Sequence, residues 1–178
     1  MVLLEDECHL LWGDTLGFIW GRKNTPIEVS IKNEKARQTY YGAINLFSQT
    51  FHLLPYPAGN SANTVAYVKE LQALYPQSKF LVIWDGSSYH KYAEMQAYLQ
   101  EINHGFDEEN WPITCELFAP NAPEQNPVED IWLKGKKFLR KFFYKHTTFS
   151  QVKSAFFDFL NNTQFSFPKL DAFLDFLI

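Results

Sequence analysis

Residues 2–9 read Val-Leu-Leu-Glu-Asp-Glu-Cys-His, an apolar run that leads into three consecutive acids. Side chains alternate across a strand, so Asp6 would share a face with Leu4 and Cys8 and point away from the two flanking glutamates. A carboxylate on the apolar face of a strand is costly unless it binds a cation or another partner. The pattern therefore predicts a first strand with a functional carboxylate at Asp6, and a surface acid at the strand end is the alternative.

A second acid, Asp85, directly follows the short apolar run Lys79–Trp84. Such a run is typical of a central strand that is covered on both faces. Open α/β sheets bind ligands beyond the carboxyl ends of their strands, and Gly86 would allow a close approach there. The alternative is that Asp85 only caps the next helix. His90 would contact a phosphate or orient a water, unless it is a structural histidine.

A third acid, Glu129, opens a predicted helix after the Pro-rich loop 120–126. Asn126 is a natural N-cap, and Pro127 suits the first turn, where its missing N–H costs little. The helix dipole or a capping box would favour Glu129 there whatever the function, so a purely structural role is the alternative. Asp130 points about 100° away around the helix and is the weaker ligand candidate.

The remaining apolar periodicity predicts strands first and then strands alternating with helices. Strands are expected at 39–46, 50–54 (ended by Pro55) and 113–118, and helices at 62–75, 91–102, 128–144, 150–160 (capped by Ser150) and 168–178. This order predicts a mixed sheet with helices on its faces.

Composition indicates one globular domain of 178 residues. The formal net charge of −4 gives no overall electrostatic signature of nucleic-acid binding. A local basic stripe on the third predicted helix is a candidate DNA contact, and a solvated helix face is the alternative. The stripe comprises Lys134, Lys136, Lys137, Arg140, Lys141 and Lys145.

The two cysteines, Cys8 and Cys115, lie far apart in sequence and form no C-x-x-C pair. Zinc binding by cysteine therefore has little support, and both are expected to be buried free thiols in a reducing compartment. We see no signal peptide and no apolar run of membrane-spanning length. A cytoplasmic protein without membrane contact is expected.

Taken together, the three acidic motifs resemble those of mariner-like DDE transposases, in particular the bacterial insertion-sequence branch. The resemblance extends from Leu3 to about Leu160, and residues 119–132 are its most specific part. It implies an α/β, RNase H-like fold, in which the first three strands are antiparallel and the later ones parallel. It also implies a metal-binding triad, which falls on Asp6, Asp85 and Glu129. Gly86, His90 and Asn126 would lie next to these ligands and help to position them without binding the metal.

The implied function is that of a transposase catalytic domain, which cuts and joins double-stranded DNA at element ends. Two Mg²⁺ or Mn²⁺ ions would assist in-line displacement at a phosphodiester. The enzyme would be associated with the nucleoid when it is on DNA. Two alternatives remain: another RNase H-like nuclease, such as a resolvase or hybrid nuclease, or an inactive remnant that only binds DNA or a partner.

The sequence departs from the family pattern in three places. Gly86 stands where the family commonly has Asn, and Asp85 and Glu129 are further apart than is usual. Residues 1–160 would form the catalytic domain and residues 161–178 a helical extension, with no helix-turn-helix module before Asp6. A homodimer or a separate N-terminal DNA-binding segment is therefore an expected partner.

Overall fold

The structure of the chain, a computed structural model, describes residues 1–16, 20–25, 36–90, 93–119, 125–166, 168 and 170–171. Five strands form one sheet, namely β1 (Val2–Leu11), β2 (Arg37–Asn45), β3 (Phe51–Tyr56), β4 (Phe80–Trp84) and β5 (Ile113–Leu117). Their order across the sheet is β3-β2-β1-β4-β5. β1, β2 and β3 are antiparallel, whereas β4 and β5 run parallel to β1. The predicted mixed sheet is confirmed.

Helices cover both faces of this sheet. They are α1 (Ser61–Leu74), α2 (Ala93–Asn103), α3 (Pro127–Lys141) and α4 (Phe149–Asn161), with short 3₁₀ turns at Trp12–Thr15, Ser88–His90, Glu108–Asn110 and Phe143–Lys145. None of the described helices is long and apolar enough to cross a bilayer.

The alternation of side chains along β1 divides the interior into two cores. Leu4, Cys8 and Leu10 pack on one face among residues of α3 and α4. Leu3 packs on the other face among residues of α1 and α2. Because β1 is the middle strand, each of its acids must lie against one of these two cores or just beyond the edge of that core.

The pairing of β1 with β4 places two of the predicted ligands at the same level. The parallel register runs from Val2 opposite Leu81 to Leu4 opposite Ile83. Two residues further along each strand come Asp6 and Asp85. Asp6 therefore lies in mid-strand, where the pairing with β4 has stopped, and not at the strand end that the alternative interpretation requires.

Pro55 does not end the third strand, contrary to the prediction. It lies within β3, opposite Tyr40 of β2. β3 is an edge strand, so a residue that lacks an N–H is tolerated there. Whether a strand lies at an edge depends on the topology of the sheet, which local sequence does not reveal.

The last two long helices differ from the prediction at their ends. α3 stops at Lys141 rather than at residue 144, so Lys145 lies in the following 3₁₀ turn. α4 is capped by Thr148 and not by Ser150, because Thr148 and Gln151 form a reciprocal capping box. Most of the helix expected at 168–178 lies outside the described residues.

The division of the chain at residue 160 stays a prediction. Phe165 and Leu170 lie beyond that position, and both are fully buried in the core formed by α3 and α4. The segment after α4 therefore contributes to the same core as the sheet.

Gly42 on β2 allows the closest packing of the sheet against α3. A Cβ atom at this position would lie 2.5 Å from Trp132 Cη2 and 2.6 Å from Phe51 Cζ. We expect Gly42→Ala to lower the free energy of unfolding by about 1–3 kcal/mol through overpacking. Urea denaturation measures the effect. Gly13→Ala is the control, since its Cβ would meet no described atom within 4 Å, and an equal loss in both variants would contradict the explanation.

Candidate active site

Asp6 lies on the face of β1 that α3 covers, and one side chain of α3 holds it directly. The indole Nε1 of Trp132 donates a hydrogen bond to Asp6 Oδ2 at 2.9 Å. The bond uses one carboxylate oxygen and leaves the lone pairs of the other for a different partner.

Trp132 is fixed by its own packing. It is 3% exposed, meets Phe51 edge to face at 5.5 Å between ring centroids, and stacks on Phe156 at 6.3 Å. The sequence pattern alone predicts a core position for Trp132. Its polar role could have been suspected, because a buried indole N–H usually has a hydrogen-bond partner.

Asn126 joins the start of α3 to β1. Its Oδ1 accepts a hydrogen bond from the backbone N–H of Val128 at 3.1 Å, so it is the N-cap that the sequence predicts. Its Nδ2 donates to the backbone carbonyl of Glu5 at 2.9 Å, and the side chain is buried. One amide thus caps the helix and fixes its first turn beside Asp6.

The charge of Glu129, which is exposed in that first turn, reaches Asp6. Burial raises the pKa of Asp6 well above its usual value, and the negative charges of Glu129, Glu7 and Asp85 raise it further. The hydrogen bond from Trp132 acts in the opposite direction. Asp6 is therefore a carboxylate whose ionised form needs additional positive charge nearby.

Asp85 follows β4 and is held by the turn that comes after it. Its Oδ1 accepts from the backbone N–H of Ser87 at 2.8 Å, and its Oδ2 accepts from Ser87 Oγ at 2.9 Å. These bonds do not cap a helix, because the 3₁₀ turn begins at Ser88 and α2 at Ala93; they close a local turn. They do not exclude ligand binding, because the side chain is 51% exposed and a carboxylate has about four lone-pair positions.

His90 lies behind Asp85 and is buried. Its ring stacks on Trp84 with 4.3 Å between centroids, and its Nδ1 lies 3.3 Å from Asp85 Oδ1 and 3.1 Å from the Asp85 carbonyl oxygen. The bond from His90, followed by those from Ser87, lowers the pKa of Asp85 to about 2 despite partial desolvation. Gly86 lies exposed beside it.

The other ring nitrogen of His90 faces two acids of β1. Nε2 lies 3.2 Å from Glu7 Oε1 and 3.7 Å from Glu5 Oε2. Burial alone would lower the pKa of His90. The bonds to Asp85 and Glu7 and the charges of Glu5 and Glu7 outweigh burial and raise it to about 10.

Within the described part of the chain, Glu5, Glu7 and His90 form a group whose metal-ligating atoms all lie within 4.8 Å of one another. The predicted triad of Asp6, Asp85 and Glu129 does not form so tight a group. The sequence pattern predicts no functional role for either glutamate.

Comparison with known proteins gives the family. The sequence matches the model of a family described as DDE superfamily endonuclease over residues 1–153. The chain belongs to this superfamily. No curated protein matches the sequence.

Solved structures show how this DDE endonuclease domain relates to larger enzymes. A Mos1 transposase paired-end complex with its left transposon end has a TM-score of 0.60 at 13% identity, covering 91% of this chain and 48% of that one. The catalytic core domain of BIV integrase has a TM-score of 0.54 at 13% identity, covering 99% and 95%. The predicted RNase H-like fold is confirmed, and the chain spans about half the length of the Mos1 transposase chain.

The six basic residues of this DDE endonuclease domain do not form one stripe. Lys136 and Arg140 lie within about 20° of Glu129 around α3, and both contact Asp14: Lys136 Nζ lies 3.4 Å from its carboxylate, and Arg140 Nε donates to its carbonyl. The other four are exposed, namely Lys134, Lys137, Lys141 and Lys145. Of these, Lys137 and Lys141 lie about 80–120° from Glu129 on the outer side of the helix.

The effect of the Trp132 hydrogen bond on the pKa of Asp6 can be tested in this DDE endonuclease domain. We expect Trp132→Phe to raise the pKa of Asp6 still further, because the indole N–H no longer stabilises the ionised carboxylate. A carbon-13 NMR titration of the Asp6 carboxyl measures this. Trp12→Phe is the matched control, since Trp12 lies in the same core and stacks on Phe149. Identical Asp6 titrations in both variants would show that the bond has no such effect.

Proposed function

We propose that this chain is the catalytic domain of a DNA transposase, which cuts and joins phosphodiester bonds at the ends of its element. The observation that carries the proposal is the placement of three carboxylates. Asp6 and Asp85 lie at one level of the sheet, and Asn126 fixes the helix start that bears Glu129. Family membership and the fold shared with the Mos1 transposase support it.

The proposed metal ligands are Asp6, Asp85 and Glu129. Their hard oxygen atoms suit Mg²⁺ or Mn²⁺, and the raised pKa of Asp6 indicates an excess of negative charge that a cation would offset. Two such ions, when bound, stabilise the attacking and leaving oxygens of an in-line displacement at phosphorus. A Mos1 paired-end complex with Mn supports this choice of metal.

The protein's own contribution in this proposal is to hold the ligands in place. Trp132 fixes one oxygen of Asp6, and Ser87 and His90 fix Asp85. Asn126 holds the start of α3 against β1. Each of these positioning groups is buried or tied to the backbone, so the ligands lose little freedom when a cation binds.

Double-stranded DNA is the proposed substrate. The exposed lysines on the outer side of α3 lie on the same helix as Glu129, so they would contact phosphates beside the site. Phosphate contacts position DNA without reading its sequence, so recognition of element ends is assigned to a separate N-terminal segment or a second copy of the chain.

We expect Asp85→Asn to abolish metal-dependent DNA cleavage while the fold is retained. The carboxamide keeps the shape but loses the ligand charge. Cleavage of supercoiled plasmid in Mg²⁺ or Mn²⁺ measures the loss, and circular dichroism checks the fold. Asp130→Asn is the matched control, since Asp130 follows Glu129 but points about 100° away. Cleavage that survives Asp85→Asn, or that persists in excess chelator, would refute the proposal.

We expect the double change Lys137→Glu and Lys141→Glu to weaken binding to all duplexes alike. For the unchanged chain, a plot of the logarithm of the binding constant against the logarithm of the salt concentration should have a slope of about −0.9 per phosphate neutralised. The double variant should show a shallower slope. Fluorescence anisotropy with element-end and scrambled DNA measures both effects. Lys69→Glu with Lys79→Glu is the control for net charge, because these exposed lysines lie outside α3. A loss confined to the element-end duplex would mean that α3 reads sequence.

A further inference from the structure

A second group of potential ligands lies on the other face of the sheet from Asp6. The side chains of His90, Glu5 and Glu7 are 0%, 1% and 3% exposed, and their ligand atoms all lie within 4.8 Å of one another. β1 supplies both glutamates, and the 3₁₀ turn after β4 supplies the histidine.

Glu5 lacks the hydrogen bonds that a buried carboxylate needs within the described residues. Neither of its oxygens has a hydrogen-bond partner within the described part of the chain. His90 Nε2 lies 3.7 Å from Glu5 Oε2, within the range of an ion pair but too far for a hydrogen bond. Burying a carboxylate without compensation costs several kcal/mol, so both oxygens point to a ligand that should lie between these side chains.

The two distances from His90 to the glutamates match those in a metal centre. Bonds of about 2.0–2.2 Å to a tetrahedral zinc ion place neighbouring ligand atoms roughly 3.3–3.6 Å apart. The distances from His90 Nε2, 3.2 Å to Glu7 and 3.7 Å to Glu5, bracket that range. One dication would neutralise both carboxylates, whereas a proton on His90 supplies only one positive charge.

The second nitrogen of His90 is placed as in a metal-bound histidine. Metal-ligating imidazoles usually donate their other ring N–H to a carboxylate or backbone carbonyl. His90 Nδ1 lies beside both kinds of acceptor on Asp85, at 3.3 Å and 3.1 Å. Nε2 is thereby directed towards Glu5 and Glu7.

We propose that Glu5, Glu7 and His90 form a structural site for a transition-metal dication of the Zn²⁺ type, distinct from the carboxylates proposed for DNA cleavage. Imidazole together with carboxylates suits zinc, cobalt or iron better than magnesium, which prefers six oxygens and keeps several waters. His90 also lines a cleft of about 670 Å³ between α2 and β5.

The metal would join β1 to the turn after β4. The parallel pairing of these strands ends at Leu4 and Ile83, and both glutamates lie just beyond that point on β1. The ion would thus hold together two segments where backbone bonds between them have ceased. The inference is independent of the proposed cleavage reaction.

The test uses Co²⁺ as a visible probe. The chain is stripped with chelator, and Asp6→Asn with Glu129→Gln removes ligands of the proposed cleavage site. We expect this variant to bind one equivalent of Co²⁺ with visible d–d absorption, which Zn²⁺ displaces and excess Mg²⁺ does not. Adding Glu5→Gln should weaken Co²⁺ binding by more than about 100-fold, beyond the loss typical for partners outside the ligand shell.

His9→Gln, added to the same variant, is the matched control. His9 is an exposed histidine of β1 whose Nδ1 lies 3.0 Å from Thr39 Oγ1. It should leave the Co²⁺ absorption unchanged. Absorption that disappears with His9→Gln, or that survives Glu5→Gln unaltered, would overturn the proposed site.

A measurement on the unaltered chain covers the case in which Glu5→Gln fails to fold. Nitrogen-15 NMR of the imidazole rings should show the His90 Nε2 resonance shifting on addition of one equivalent of Zn²⁺, while Nδ1 stays protonated. If both His90 nitrogens remain protonated in saturating Zn²⁺, His90 is an imidazolium that pairs with the two glutamates, and the metal site is refuted.

Discussion

Three consecutive acids that are wholly or partly buried in the middle strand of the sheet are the constraint on which the rest of this structure depends. Alternation along β1 sends Asp6 to one face and its two neighbours to the other, so both layers of helices must compensate for charge. α3 supplies Trp132 and Asn126 on one side. The turn after β4 supplies His90 on the other. Buried carboxylates are tolerated only with such partners, so the packing of these elements and the chemistry of the strand are inseparable.

Asp85 interacts with acids on both faces of the sheet, with Asp6 directly and with Glu7 through His90. Its carboxylate is half exposed and carries a charge that reaches Asp6, yet it also contacts His90, whose other nitrogen faces Glu7. Substitution of His90 would therefore remove a contact that holds Asp85 at the proposed cleavage site. Only the imidazole ring of His90 separates Glu7 from Asp85, since each of these residues is faced by one of its two nitrogens.

Local sequence predicts the order of elements, the mixed sheet and the N-cap at Asn126, because each depends on periodicity or on a few adjacent residues. It misplaces the cap of α4, where the Thr148–Gln151 box outweighs a nearby serine. It does not reveal the bond between Trp132 and Asp6, because nothing local to either residue encodes a partner in a distant element. The burial of Glu5 is not predicted for the same reason. A hydrophilic triplet in a strand is typical of a solvated edge, and only the topology of the sheet shows that this strand is central.

The bond between Trp132 and Asp6 joins positions 126 residues apart, and that between Asn126 and Glu5 spans 121. A ribosome that adds about 5–20 residues per second needs roughly 6–25 s to travel from one member of the first pair to the other. Throughout that interval the acids of β1 have already been synthesised but have no α3 to pack against, so they remain hydrated. A nascent or prematurely terminated chain that lacks α3 consequently cannot form these bonds, so the proposed cleavage site assembles only after α3 has been synthesised.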